Sequence, residues 1–133
     1  MRLPRIGETI TTERARELCA HFGCTYLLER IDSDPETFKD WEFDGASMIP
    51  DALVSKLAGI PNLTEIALKH DLKYGYGEPG NESERENADQ EFKADLLADG
   101  ADRIVAEVMY QAVRTFGNPP ISTSFSWGFA RRK

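Results

Sequence analysis

The chain has 133 residues and a formal net charge of -7, with 41% hydrophobic and 29% charged residues. That length carries one domain with its own core and falls short of two, and the acidic balance argues against general binding to nucleic acid or anionic lipid. No apolar run approaches the ~20 residues of a membrane span, and the stretch before Thr12 lacks the apolar centre of a signal peptide, so a cytoplasmic protein is expected.

In chain order, a first helix is expected from Thr12 to about Phe22, capped by Thr11 or Thr12 and ended by Gly23. Ala15, Leu18, Cys19 and Phe22 share its apolar stripe. Cys19 and Cys24 read as two reduced, buried thiols; a disulfide across Gly23 is the alternative, and with only His21 nearby they fall short of a zinc site. Cys24 to Ile31 reads as a strand, broken by Asp32-Ser33-Asp34-Pro35. Glu36 to Phe43 is aromatic and acidic without a period, and Trp41 either lines a substrate groove or belongs to the core.

Asp44-Gly45-Ala46-Ser47 is turn-like, and two readings stay open. The segment presents backbone groups to a metal or a developing oxyanion, with Ser47 as a further donor, or it forms an Asx-type turn ahead of Ile49-Pro50. Ser47 lacks the flanking glycines of a nucleophile elbow.

The organising element is a second helix. Asn62 is a candidate N-cap, and Leu63, Ile66, Ala67, His70 and Tyr74 recur at three- and four-residue steps, which turns His70 inward. Gly75, Gly77, Pro79 and Gly80 stop the pattern, and Ser83-Glu84-Arg85-Glu86 reads as the capping box of a third helix with Arg85, Ala88, Asp89, Phe92 and Leu96 on its inner face. A short loop makes the two helices antiparallel neighbours. Counted back from that loop, His70 lies roughly 6 Å along one helix and Asp89 roughly 7 to 8 Å along the other, at 1.5 Å per residue. The spacing therefore predicts a His70–Asp89 dyad, with Tyr74 placed to donate to Asp89. The plainer readings are a hydrogen-bonded core histidine and an Arg85–Asp89 pair within one helix.

Asp71 projects about 100° away from His70 and faces a neighbouring loop. A carboxylate there suits a hard cation such as calcium, with Asp44 and the carbonyl of Gly45 as partner ligands. Beyond Gly100, Ala101 to Phe116 predicts a strongly amphipathic helix whose apolar face is Ile104, Val105, Val108, Met109, Ala112, Val113 and Phe116. Residues 118–133 form a C-terminal extended arm in which Phe125, Trp127 and Phe129 alternate with small residues; it docks on a lipid or partner surface, or packs on its own domain.

His70-Asp71-x-x-Tyr74 on one helix, with Asp89 on the next, resembles the active-site core of the phospholipase A2 superfamily. The resemblance implies His70 as the general base that activates water, Asp71 as a calcium ligand and Asp89 as the residue that orients His70, with Tyr74 in support. A phospholipid or small ester would be the substrate, and Ser47, Trp41 and Arg85 are candidates to contact it. The wider pattern from Asp44-Gly45-Ala46-Ser47 through His70-Asp71 and Arg85-x-x-Ala88-Asp89-x-x-Phe92 to Met109-Tyr110-x-Ala112-Val113-Arg114-x-Phe116-Gly117 is similar to a family of small phage and prophage proteins of unknown function. The chain departs from secreted phospholipases in having a single glycine, Gly45, in the presumed loop and no cysteine on the two helices. The expected fold is mainly α with a small β element, a single domain over 1–133 built on the antiparallel pair. The expected function is calcium-assisted ester hydrolysis, or else a non-catalytic phage accessory protein that uses the same helices as a scaffold.

Overall fold

A computed structural model describes residues 2–44, 59–118 and 126–132. Among these are five α-helices and one two-stranded antiparallel sheet: β1 (Thr9–Ile10), α1 (Thr12–His21), α2 (Thr25–Ser33), β2 (Trp41–Glu42), α3 (Leu63–Gly75), α4 (Glu82–Ala98) and α5 (Arg103–Phe116). The mainly helical expectation with a small β element holds.

Thr11 caps α1 through its side-chain oxygen, 3.1 Å from the Arg14 amide, as its residue type favours. The expected strand over Cys24 to Ile31 is instead part of α2. Leu27 and Ile31, four apart, bury one side of it, while Tyr26 and Glu29 stay exposed, which is helical and not alternating. A short apolar run fits either period, and the aromatic and β-branched bias of Tyr26 and Ile31 pointed the wrong way. The strands lie on either side: β1 pairs with β2 in the register Thr9↔Glu42 and Ile10↔Trp41.

Two of the expected caps shift. The Asn62 side chain does not cap α3; its amide and backbone N–H donate to the Asp99 carboxylate at 2.9 and 2.8 Å, which ties the start of α3 to the end of α4. Asn81, not Ser83, caps α4, accepting from the Glu84 amide at 3.0 Å. Glu84 therefore sits where a box glutamate would, but its carboxylate takes a two-pronged hydrogen bond from Arg30 of α2 at 2.8 and 2.9 Å. Asp102 caps α5.

The α3–α4 pair is antiparallel, as the paired residues 62 with 99, 69 with 95, 70 with 89 and 74 with 85 run in opposite directions along the chain. Helix α5 packs antiparallel on α4 in turn, through Lys93 with Glu107 and Asp89 with Arg114. Helix α3 thus stands between two cores. Leu68, Leu72 and the following Tyr76 join Leu18, Leu27, Ile31, Ile10 and Phe43 on one side. Ile66 joins Phe92, Leu96, Val105, Met109 and Val113 on the other.

The apolar face expected on α5 is wider than the one it buries. Val105, Ala106, Met109 and Val113 are buried, whereas Ile104 is 73% exposed and Val108 and Phe116 are also exposed. The apolar arc extends past the width that α4 covers.

The C-terminal segment is not an extended strand over its described part. Residues 127–130 form turns, Trp127 and Ala130 are buried, and the backbone bonds to the end of α3 through Gly128 N–H to Tyr74 O (2.8 Å) and Ala130 N–H to Gly75 O (3.1 Å). Residues 127–132 pack on their own chain. Phe125 lies outside the described residues. No helix among the described residues is long and apolar enough to cross a membrane, and Cys19 and Cys24 are not joined in a disulfide.

Candidate functional site

The inward stripe of α3 carries His70 and Tyr74 one turn apart, and α4 brings Asp89 level with them. His70 Nε2 lies 2.9 Å from Asp89 Oδ1, with the histidine 6% exposed and the aspartate fully buried. The Tyr74 hydroxyl reaches both oxygens of the same carboxylate, at 2.7 and 2.9 Å. The dyad and its supporting tyrosine, expected from spacing, are therefore together. A carboxylate only accepts, so Nε2 carries the proton and Nδ1, on the other edge of the ring, keeps its lone pair. The imidazole lies against the rings of Tyr74 and Phe92, with centroids 4.5 Å from each and interplanar angles of 37° and 36°.

Asp89 has a further partner that sequence reasoning missed. Arg114 of α5 donates from Nη1 to Asp89 Oδ2 at 2.9 Å and from Nη2 to Glu82. Arg114 stood in the wider pattern quoted from the sequence without a role, because its link to Asp89 exists only once α5 has docked on α4.

Arg85, expected to contact substrate, is buried and directed inward. Its Nη1 donates to the Tyr74 hydroxyl and to the Arg114 carbonyl, each at 3.2 Å, its other nitrogens donate to Glu82 at 3.0 Å, and it approaches Asp89 to 3.7 Å. Two guanidiniums thus face two carboxylates, Asp89 and Glu82, and the cluster is charge-balanced while His70 is neutral. Burial, then the Asp89 charge, pushes the Tyr74 phenol up, so it serves as a donor. The Arg85 hydrogen bonds hold the Glu82 carboxyl below its ordinary range.

Asp71, about 100° round the helix from His70, is half-buried. Burial, and then the negative charge of Asp44, holds its carboxyl well above the usual carboxylate range. Asp44 is exposed at the end of the segment after β2. Gly45 and Ser47 lie outside the described residues. Among the described residues no three His, Cys, Asp or Glu side chains gather as a metal site. Trp41 is half-buried; its indole N–H donates to the Tyr76 hydroxyl at 2.9 Å and its ring meets Phe129 edge-on at 5.1 Å.

The C-terminal segment reinforces the site from outside. The Trp127 indole donates to the Glu78 carbonyl at 2.7 Å and its ring meets Tyr74 edge-on at 5.0 Å. It passes over Gly77 so closely that any Cβ there would overlap the indole. Glycine at 77 is therefore a packing requirement, beyond its part in ending α3.

Comparison with protein-family models, curated proteins and solved structures matches the chain to none of them.

Proposed function

We propose that this chain is a phage- or prophage-derived ester hydrolase of the phospholipase A2-like type, with His70 as general base. The carrying observation is His70 Nε2 on Asp89, with Tyr74 on the same carboxylate. With Nε2–H held by Asp89, Nδ1 takes a proton from a water as the water oxygen adds to the ester carbonyl carbon. The Asp89 charge stabilises the imidazolium so formed. When the tetrahedral species collapses, the bond to the leaving alcohol breaks and the alkoxide takes the proton back from Nδ1.

Asp71 and Asp44, with the carbonyl of Gly45, are the groups that would hold a calcium ion. A half-buried carboxyl raised by burial, and then by the charge of Asp44, suits a hard divalent cation, whose charge would oppose both effects. When bound, the ion supplies polarisation of the ester carbonyl. A cytoplasmic setting accords with two unpaired thiols.

The test is release of fatty acid from phosphatidylcholine vesicles, and of acid from a short-chain soluble ester, with calcium or with chelator. His70→Gln is expected to reduce turnover to background while the far-ultraviolet circular dichroism stays unchanged. Equal release by wild type and His70→Gln overturns the reading.

A second reading is favoured by Arg85 and Arg114. These two cations satisfy and neutralise Asp89 in a way that a water-activating dyad does not require, and that suits a structural clamp joining α3, α4 and α5. The protein is then a non-catalytic accessory protein. Wild type shows no turnover on either substrate, and His70→Gln leaves partner binding intact.

A further inference from the structure

Two thiols that the proposed hydrolytic step does not use flank the turn where α1 ends. The Cys24 N–H bonds to the Cys19 carbonyl at 2.8 Å and the Gly23 N–H to the Ala20 carbonyl at 3.2 Å, with Gly23 at φ +73°. These are both hydrogen bonds of a Schellman motif, which folds the chain back and draws its two ends, here Cys19 and Cys24, towards each other. Both are buried in the same core cluster, at 0% and 5% exposure. We propose that Cys19 and Cys24 form a peroxide-oxidisable dithiol, poised to close into a disulfide without rearrangement of the fold.

The two sulfurs are not equivalent. Burial, and then the charge of Cys24, pushes the Cys19 thiol up to about 12, which keeps it protonated. Burial raises Cys24 as well, but the ammonium groups of Lys73 and Lys69 on α3 oppose it, and Cys24 is the more exposed of the pair. Cys24 is therefore the sulfur that reacts first and Cys19 the one that resolves it.

With hydrogen peroxide as oxidant, the Cys24 thiolate attacks one peroxide oxygen. An S–O bond forms, the O–O bond breaks, and the departing hydroxide is protonated to water, leaving a sulfenic acid. The Cys19 sulfur then attacks the Cys24 sulfur. The S–S bond forms, the S–O bond breaks, and the hydroxide leaves as water with the Cys19 proton. Two thiols and one peroxide become one disulfide and two waters. Because the Schellman turn has already brought the ends together, the folded protein favours this product more than the unfolded chain does.

The experiment treats folded, full-length protein with hydrogen peroxide, alkylates the remaining thiols and maps tryptic peptides. No Lys or Arg separates the two cysteines, so one peptide, Glu17 to Arg30, holds both. The expected product is a monomer in which that peptide resists alkylation and is lighter by two hydrogens, about 2 Da. In Cys19→Ser, oxidation should stop at a sulfenic acid on Cys24 that dimedone captures. A second measurement equilibrates wild type with glutathione redox buffers, folded and in urea; the folded protein should form the disulfide with an equilibrium constant at least tenfold larger. Two thiols left free, sulfinic acid without loss of two hydrogens, intermolecular dimers, or equal constants in buffer and urea would each overturn the proposal.

Discussion

Arg114 meets Asp89 at Oδ2, 2.9 Å away, while His70 takes Oδ1 at the same distance. One buried carboxylate therefore joins α3 to α5 through α4. The consequence is an unequal cost of removing its partners. Asp89→Asn leaves two guanidiniums sharing Glu82 alone and should destabilise the protein by about 3 kcal/mol, the usual loss when one member of a buried pair is removed. Arg114→Met leaves Asp89 with Arg85, Tyr74 and His70 and should cost about 2 kcal/mol, within the worth of a hydrogen bond to a charged group. Urea denaturation of both variants checks the order; an Arg114→Met loss equal to or greater than that of Asp89→Asn would show that the carboxylate is not the hub.

Gly117 controls Tyr74 from the far side. A Cβ built on Gly117 would lie 2.5 Å from Tyr74 Cε2, 2.6 Å from its hydroxyl and 2.6 Å from the Val113 carbonyl. The backbone carbonyl cannot swing aside as a long side chain can. Gly117→Ala should therefore displace the Tyr74 ring from Asp89 and cost about 1–3 kcal/mol, as overpacked cores do. It should also lower any turnover further than Tyr74→Phe, which keeps the ring in place. Thermal unfolding and the ester assay on the two variants distinguish displacement from loss of the hydroxyl alone.

The centre of this arrangement is legible in the sequence because it depends on short-range geometry. Helical period turned His70 and Tyr74 to one face, and a short glycine-rich loop fixed the depth of Asp89, so counting along two helices sufficed. What was not legible depends on partners far along the chain. Arg114 acquires its role only when α5 packs on α4, and Asn62 is drawn from capping α3 to Asp99 by the end of α4. Cys24 to Ile31 went astray for a different reason. Its Leu27–Ile31 spacing is helical, but over so short a run residue preference for strands outweighed it. Ser83 lost the cap because Asn81, two residues earlier, already provided the oxygen.

Acid should act on the Arg85–Arg114 cluster through Glu82. Hydrogen bonding, chiefly from Arg85, holds the folded-state Glu82 pKa below its ordinary 4.5. The unfolded chain then binds the proton first, so the stabilisation from Glu82 is complete above about 4.5 and is lost as pH falls through the folded value. Glu82→Gln removes it at every pH. Wild type should be the more stable of the two at pH 7, and the gap should narrow as pH falls below 4.5 and close once it passes the folded value. Urea midpoints measured across that range decide it; a gap that persists unchanged in acid would assign the difference to packing and not to the Glu82 charge.

Calcium should bind on the side of α3 that faces away from Asp89. Asp71 is half-buried and its carboxyl is disfavoured as an anion by burial and by Asp44, so in chelator the pair is a site of repulsion. Asp71→Asn should therefore leave the chelator-treated protein at least as stable as wild type, since it removes one of two opposed charges. Calcium should reverse that order by stabilising wild type in proportion to the logarithm of its concentration above the dissociation constant, and the variant hardly at all. Calorimetric titration gives the binding directly and thermal unfolding gives the linkage. Heat of binding in wild type that Asp71→Asn lacks would make Asp71 a ligand of the ion, one residue from His70 on α3. Binding to neither protein would remove calcium from the mechanism, leaving His70, Asp89 and Tyr74 as a metal-free site or as a clamp between helices.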